Sequence, residues 1–406
     1  MPRPLSHIRV LDLTRVLAGP WAAQNLADLG AEVIKIERPG TGDDTRAWGP
    51  PWWHDGDGNE TRESAYFLSV NRGKKSVTLD LSLPAGQHIA RDLAAKSDVL
   101  IENYKMGTLA RYGLGYEDIH AINPGIIYCS VTGFGQDGPY ASRPGYDFIF
   151  QGMGGLMSIT GERDGQPGGG PQKVGIAITD VLTGMYASLA ITAAITARQI
   201  NGAGQYIDTA LLDTIVAFGA NQILNYWCSG NVPQRFGNAH ANILPYEVFP
   251  TRDGHIILAV GNDGQYAAFC RVAGRPELAD DPRFRTNPDR VKHRAVLVPI
   301  VREIMQTRTK QQWIDALEAA GVPCGPINNY AEVFDNPQVR HRGLRVDIPG
   351  PLGTVPTVAS PMRFSATPVQ YDLPPPLLGE HTREILSGVL GIEAPELDAL
   401  AAQGVI

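Results

Sequence analysis

Residues 8–37 read IRVLDLTRVLAGPWAAQNLADLGAEVIKIE. Ile8–Leu13 is a short apolar run of strand length. Trp21–Leu29 has helical spacing and stops at Gly30, a residue that closes helices in the left-handed conformation. Ala31–Glu37 then returns to the β-branched content of a strand. Strand, helix and strand in about thirty residues is the βαβ unit of a parallel sheet. Outward from it, the alternation continues. Ser76–Leu81 reads as a strand, Pro84–Lys96 as a helix with Pro in its first turn, Asp98–Glu102 and Ile126–Val131 as further strands. The expected fold is α/β: a Rossmann-like, doubly wound parallel sheet. The stretch 39–62 interrupts the pattern. It is rich in Gly, Pro, Trp and Asp and too long for a plain connection, which marks a functional loop.

Further along, Val174–Thr179 reads as a strand, Asp180–Ile200 as a buried helix and Ile215–Trp227 as one long helix. Composition then changes. A strand at His255–Val260 and helices near Gln265–Ala273, Val291–Gln306 and Lys310–Ala320 suggest a smaller α+β domain. The expected division is 1–229 as the large domain, 230–328 as the small one, and 329–406 as a linker and C-terminal return. The chain has 406 residues, is 43% hydrophobic and carries a formal charge of −7. That excludes global disorder and gives no basic patch for nucleic acid. Cys129, Cys228, Cys270 and Cys324 are far apart, with no CxxC pair, so neither a zinc site nor a disulfide framework is expected. The N-terminus runs straight into the first strand without a signal-peptide pattern. The uncharged run Val181–Ala197 is short for a ~20-residue membrane span. A cytoplasmic protein with no membrane partner is the expectation.

The first strand-to-helix turn, Thr14–Pro20, lacks GxGxxG, and no GxxxxGK[ST], HExxH or GxSxG occurs. Nicotinamide, ATP, zinc-protease and serine-hydrolase chemistry are thereby disfavoured. Asp180 is the carboxylate that stands out, between VGIAIT and a long apolar helix. It can be a first-turn acid favoured by the helix dipole. It can equally be a carboxylate nucleophile, already ionised at neutral pH and needing no general base.

Several stretches carry a resemblance to a known family. They are LDLTRVLAGPWAAQNLADLGAEVIKIERPGTGDDTRAWGPP (11–51), SVNRGKKSVTLDL (69–81), DVLIENYKMGTLARYGL (98–114), IIYCSVTGFGQDGPYASRPGYD (126–147), VGIAITDVLTG (174–184), GVPCGPINN (321–329) and PPPLLGEHT (374–382). In this order they resemble the class III CoA-transferases, over nearly the whole chain. Within the family, LTRVLAGP, GDDTRAWGPP, YGLGYEDI and PYEVF are most similar to the succinyl-CoA:glutarate (dicarboxylate) branch.

The resemblance implies that Asp180 is the nucleophile, passing through a mixed anhydride and an aspartyl-CoA thioester. It implies CoA contacts at Arg38 and Leu79–Ser82, at the turn Asn103, Tyr104 and Lys105, and at Arg111; Lys74 and Lys75 are weaker matches. Arginine suits the phosphates of CoA because its guanidinium offers forked donors. No metal or permanently bound cofactor is implied, and CoA enters as a substrate thioester. The partner implied is a second copy of the chain, each subunit an open ring and the two interlocked. The acidic chain needs a local cation to hold a second substrate carboxylate. Arg15, in the first turn, and Arg46, in the loop with Trp48 that can close over the acyl group, are the candidates. The alternative is that both pair with Asp43, Asp44 or a CoA phosphate. The oxalate enzymes differ in the first turn, where this chain has Arg15 and Leu17. They also have four glycines where it has FGNAHANILPY (236–246). Racemases of the family need a His where this chain has Tyr146, so an acyl-CoA racemase is the second reading. A non-catalytic CoA-binding protein is the third.

Overall fold

The computed structural model describes residues 3–406. The chain divides into two compact units. One comprises the chain up to Leu156, Val174–Leu224 and Gln338–Ile406; the other comprises Met157–Lys173 and Asn225–Pro337. The expected boundaries at 230 and 328 therefore fall at 225 and 337. The glycine-rich segment 157–173, assigned by sequence to the large domain, belongs to the small unit.

The first unit is built on a six-stranded sheet. Its strands are β1 (Arg9–Asp12), β2 (Glu32–Glu37), β3 (Lys74–Thr78), β4 (Val99–Glu102), β5 (Ile127–Thr132) and β6 (Gln205–Ala210). All neighbours are parallel and the order is β3-β2-β1-β4-β5-β6, the doubly wound arrangement. Successive residues point to opposite faces, and each face carries an apolar layer, as a parallel sheet covered on both sides requires. Val10, Val33, Val99 and Ile127 pack on one side, with the helices Ala18–Asp28 and Ile178–Asn201. Leu11, Ile34, Val77 and Leu100 pack on the other, with Pro84–Ala95 and the C-terminal helices Thr382–Leu390 and Ala394–Ala402. The C-terminal segment thus returns to this unit.

The second unit carries a three-stranded antiparallel sheet of Tyr246–Thr251, Gly254–Ala259 and Cys324–Gly325. Phe249, Ile256, Leu258, Phe269 and Trp313 form its core.

Three local expectations change. VGIAIT does not join a sheet. Although β-branched, its first residues run as bends into the helix Ile178–Asn201, and the edge of the sheet is taken by β6. The single helix expected at 215–227 is two, Leu211–Phe218 and Ala220–Ser229, broken where Ala220 takes φ +42°. The loop 39–62 contains a short helical turn, Asp44–Ala47, and a hairpin of Trp52–His54 with Glu60–Ser64. The helix Ile178–Asn201 is only half buried: Leu189 is 64% and Tyr186 50% exposed.

Candidate active site

In doubly wound sheets ligands bind at the carboxyl ends of the strands where the order reverses. Here that point lies between β1 and β4. The side chain of Asn103, just beyond β4, grips the main chain of Arg15, just beyond β1. Its Nδ2 donates to the Arg15 carbonyl at 2.7 Å and its Oδ1 accepts from the Arg15 N–H at 2.9 Å. The next residue, Val16, is held at φ +72°, a costly conformation for a β-branched side chain. Its N–H donates to Asp43 Oδ1 at 3.2 Å. The first turn is thus pinned from both sides, and Asn103 is engaged by this grip.

A cleft of about 540 Å³ opens beside the turn, lined by Arg15, Arg38, Trp48, Leu79, Tyr104 and Tyr112 among others. Arg38 is exposed. The Arg15 guanidinium is half exposed, pairs with Asp44 at 3.0 Å and lies 5.6 Å from the Tyr104 ring centre. Lys105 and Arg111 are exposed on the segment after β4, outside the lining of this cleft. Arg111 makes only a 3.4 Å contact with Thr108 Oγ1. Lys105 borders a neighbouring cavity of about 290 Å³ with Glu102 and Ser130. There burial pushes the Glu102 carboxyl up to about 7.

Buried charges support the cleft from below. Lys35 has no exposed side-chain surface and donates to the Thr14 carbonyl at 2.8 Å and to Asp43 at 2.9 Å. Burial raises the Asp43 carboxyl, but Lys35 and the hydrogen bonds from Thr45 together outweigh it and hold the group at about 2. Lys74, equally buried, bonds Asp12, Asn71 and the Pro20 carbonyl. Lys75 pairs with Glu32 and Glu384. Neither lysine points into the cleft as a CoA ligand.

Arg46 requires a correction as well. It is 7% exposed. Its Nε and Nη2 form a fork on Glu37, both at 2.8 Å, Nη1 reaches Glu63 at 2.7 Å, and Nη2 also meets the Pro376 carbonyl at 3.0 Å. Its guanidinium covers the Phe67 ring at 3.6 Å. With two carboxylates already satisfied, this guanidinium is held by the fold, whereas the Arg15 guanidinium, paired only with the half-exposed Asp44 among the described residues, stays half exposed in the cleft. The hairpin 52–64 causes the change, because it brings Glu63 back against the loop.

Asp180 lies in the first turn of Ile178–Asn201, 8% exposed. The N-cap is Ala177, without a side-chain cap bond, so Asp180 does not cap the helix. Among the described residues its carboxylate makes no hydrogen bond or ion pair. Burial, reinforced by the neighbouring Asp147 carboxylate, pushes it up to about 7, so it is not fully ionised at neutral pH as an ordinary aspartate is. Gly184, one turn on, lets this helix touch Ala18–Asp28. A Cβ there would sit 2.5 Å from the Ala18 carbonyl oxygen and 2.9 Å from Trp21 Cβ. Asp180 therefore stands beside the start of the first helix, at the ligand-binding edge. Tyr66 links it to the cleft. Burial and then the Asp180 charge push the Tyr66 phenol up to about 12, and its ring meets Trp48 edge-on at 5.1 Å. Tyr146 is 65% exposed and precedes Asp147, whose Oδ1 accepts the Thr179 N–H at 2.7 Å.

The arrangement is a cleft rimmed by cations and, on the far side of the Trp48–Tyr66 pair, a buried carboxylate without a hydrogen-bond partner among the described residues, which suits acyl transfer from a phosphate-bearing thioester. A family profile described as CoA-transferase family III matches residues 5–382. The chain belongs to CoA-transferase family III. It is an enzyme of CoA transfer, acting on CoA thioesters. It is 52% identical to the succinate–glutarate CoA-transferase of Agrobacterium fabrum over 395 residues, 96% of each chain. It is 44% identical to the human succinyl-CoA:glutarate CoA-transferase, covering 100% of this chain and 90% of the relative. Among solved structures, a CAIB/BAIF family protein from Brucella suis superimposes with a TM-score of 0.84 at 46% identity, covering 96% of this chain and 100% of that one.

Sequence reasoning missed Tyr66, Gly184, Asp147 and Gln151. The i, i+4 spacing of Asp147 and Gln151 in a helix-compatible run was the available signal.

Proposed function

We propose that this family III enzyme moves CoA from a dicarboxyl-CoA such as succinyl-CoA to a free dicarboxylate, with Asp180 as the nucleophile. The observation that carries the reading is the Asp180 carboxylate: buried, without a hydrogen-bond or ion-pair partner among the described residues, and close enough to Tyr66, which packs on the cleft residue Trp48, to raise its phenol. An Asp180 oxygen attacks the thioester carbonyl, the C–S bond breaks, and CoA leaves as thiolate, giving a mixed anhydride. The thiolate attacks the Asp180 carboxyl carbon, expelling the donor acid as carboxylate and leaving an aspartyl-CoA thioester. The acceptor carboxylate attacks that carbon and releases thiolate again. The thiolate then takes the acceptor acyl group, and the Asp180 carboxylate is restored.

In this reading Arg38, Leu79, Tyr104, Lys105 and Arg111 hold CoA, with Asn103 shaping the turn. Arg15 exchanges its half-exposed Asp44 for the far carboxylate of the substrate, a forked pairing that arginine favours. Trp48 and Tyr146 border the acyl group. The names of the relatives from Agrobacterium fabrum and human support dicarboxylates as substrates. Supplying succinyl-CoA with glutarate, other dicarboxylates and monocarboxylates of matched length tests the choice. Efficient transfer to dicarboxylates is expected; a preference for monocarboxylates would overturn it.

The reading includes an interlocked homodimer, which would cover the exposed apolar side chains Tyr186, Leu189 and Trp227. Sedimentation at nanomolar concentration should still give about twice 43.8 kDa; a monomer there would contradict it. The reading places the enzyme in the cytoplasm, where its free thiols stay reduced.

A further inference from the structure

We propose that Asp147 and Gln151 form a positioning pair that sets the place of Asp180 through the main chain of 174–179. The inference rests on the reading of Asp180 as nucleophile. Both side chains come from the short helix Asp147–Met153, one turn apart. Gln151 has no exposed surface and Asp147 is 9% exposed. The segment they hold has strand-like composition but no ladder. Main-chain groups outside a ladder need other partners, and here two side chains bond three of them, at Val174, Ile176 and Thr179. Gln151 Oε1 accepts the Val174 N–H at 2.9 Å, and its Nε2 reaches the Ile176 carbonyl at 3.3 Å. The same Nε2 donates to Asp147 Oδ2 at 2.6 Å, while Asp147 Oδ1 accepts the Thr179 N–H at 2.7 Å. The pair thus grips the segment at its start and again at the residue before Asp180. Thr179 lies in the first helical turn, where N–H groups have no partner within the helix. Asp147 acts as its cap from another element.

The bonds have a direction. Val174 donates to Gln151, Gln151 donates to Asp147, and Thr179 donates to Asp147 from the other side. Residue 147 must therefore accept twice. Asparagine there would set an N–H against either Gln151 or Thr179. The direction can be reversed by changing both residues. When Asp147→Asn is combined with Gln151→Glu, the introduced amide accepts from Thr179 and donates to the introduced carboxylate. That carboxylate in turn accepts from Val174. Only the long contact to the Ile176 carbonyl is given up.

A displaced nucleophile costs turnover more than binding, on the order of 100-fold for about 1 Å. Asp147→Asn and Gln151→Ala should each lower kcat by roughly 10- to 100-fold with KM for succinyl-CoA nearly unchanged. The double variant should regain most of the loss. Single variants with wild-type kcat, or a double variant no better than Asp147→Asn, would overturn the pair. Hydroxylamine trapping on the wild-type enzyme separates the two ideas. No adduct on Asp180 would remove the nucleophile reading and the pair with it. A wild-type adduct that forms equally fast in both single variants would remove the pair alone.

Discussion

Replacing Arg46 with methionine separates an arginine that builds the fold from one that reads substrate. In the folded chain burial alone would raise the Glu37 carboxyl, and Arg46, Lys35 and Ser76 together pull it below its usual range. Methionine keeps apolar cover over Phe67 but removes the fork on Glu37 and the bond to Glu63. Breaking a buried pair from one side costs about 3–5 kcal/mol, because the remaining charge is left unpaired. For a unit of this size that is a fall in melting midpoint on the order of 5–10 °C. The pH dependence has a definite sign. A depressed folded pKa contributes stability above the unfolded value, near 4.5 for this glutamate, and loses it as pH falls through the folded value. Without Arg46, burial raises the Glu37 pKa, so the deficit of the variant is largest at neutral pH and shrinks as Glu37 protonates. Thermal melts of wild type and Arg46→Met from pH 4 to 8 measure both. A variant that melts with wild type while KM rises for dicarboxylates alone would refute this reasoning and return Arg46 to the substrate.

Arg15→Met should raise KM for succinate or glutarate and spare a monocarboxylate of similar length. A lost charge-assisted bond of ~1.5–3 kcal/mol corresponds to roughly 10- to 150-fold in kcat/KM. With Asp180 at about 7, facing Asp147 and Tyr66, kcat/KM for succinyl-CoA should fall below about pH 7 as the nucleophile protonates. The same raised value makes the ionised Asp180 a burden on the fold above pH 7. Asp180→Asn should therefore melt higher at pH 8, by a few kcal/mol of stability, and lose that advantage below about pH 4, where the acid is neutral in both states. Gly184→Ala must part the two helices at the Ala18 carbonyl; a stability loss of ~1–3 kcal/mol with a fall in kcat is expected, read by melting and steady-state kinetics.

The sheet was legible because its central strands Arg9–Asp12, Glu32–Glu37 and Val99–Glu102 place apolar residues on both faces and are separated by helices with their own stops, so local pattern and global fold agree. Asp180 stood out by its position before an apolar helix and by the motif around it. Arg46 was not legible in the same way. Its partners lie 9 and 17 residues back and forward along an irregular loop, and a third contact is 330 residues away. No periodicity reports such contacts. VGIAIT has the β-branched content of a strand, but composition does not report which groups bond its backbone; here Asp147 and Gln151 take the Val174 and Thr179 N–H groups in place of a ladder. The place of segment 157–173 in the second unit is not written in local pattern, because it depends on contacts with residues from 225 onward.

In the proposed cycle Asp180 carries the acyl group and then CoA. Enzyme incubated with succinyl-CoA alone, quenched with hydroxylamine and digested, tests it by peptide mass. A hydroxamate on Asp180 is expected, formed with up to one equivalent per chain and absent without the thioester. CoA transfer at full rate by an enzyme that yields no Asp180 adduct, or by Asp180→Ala, would contradict it.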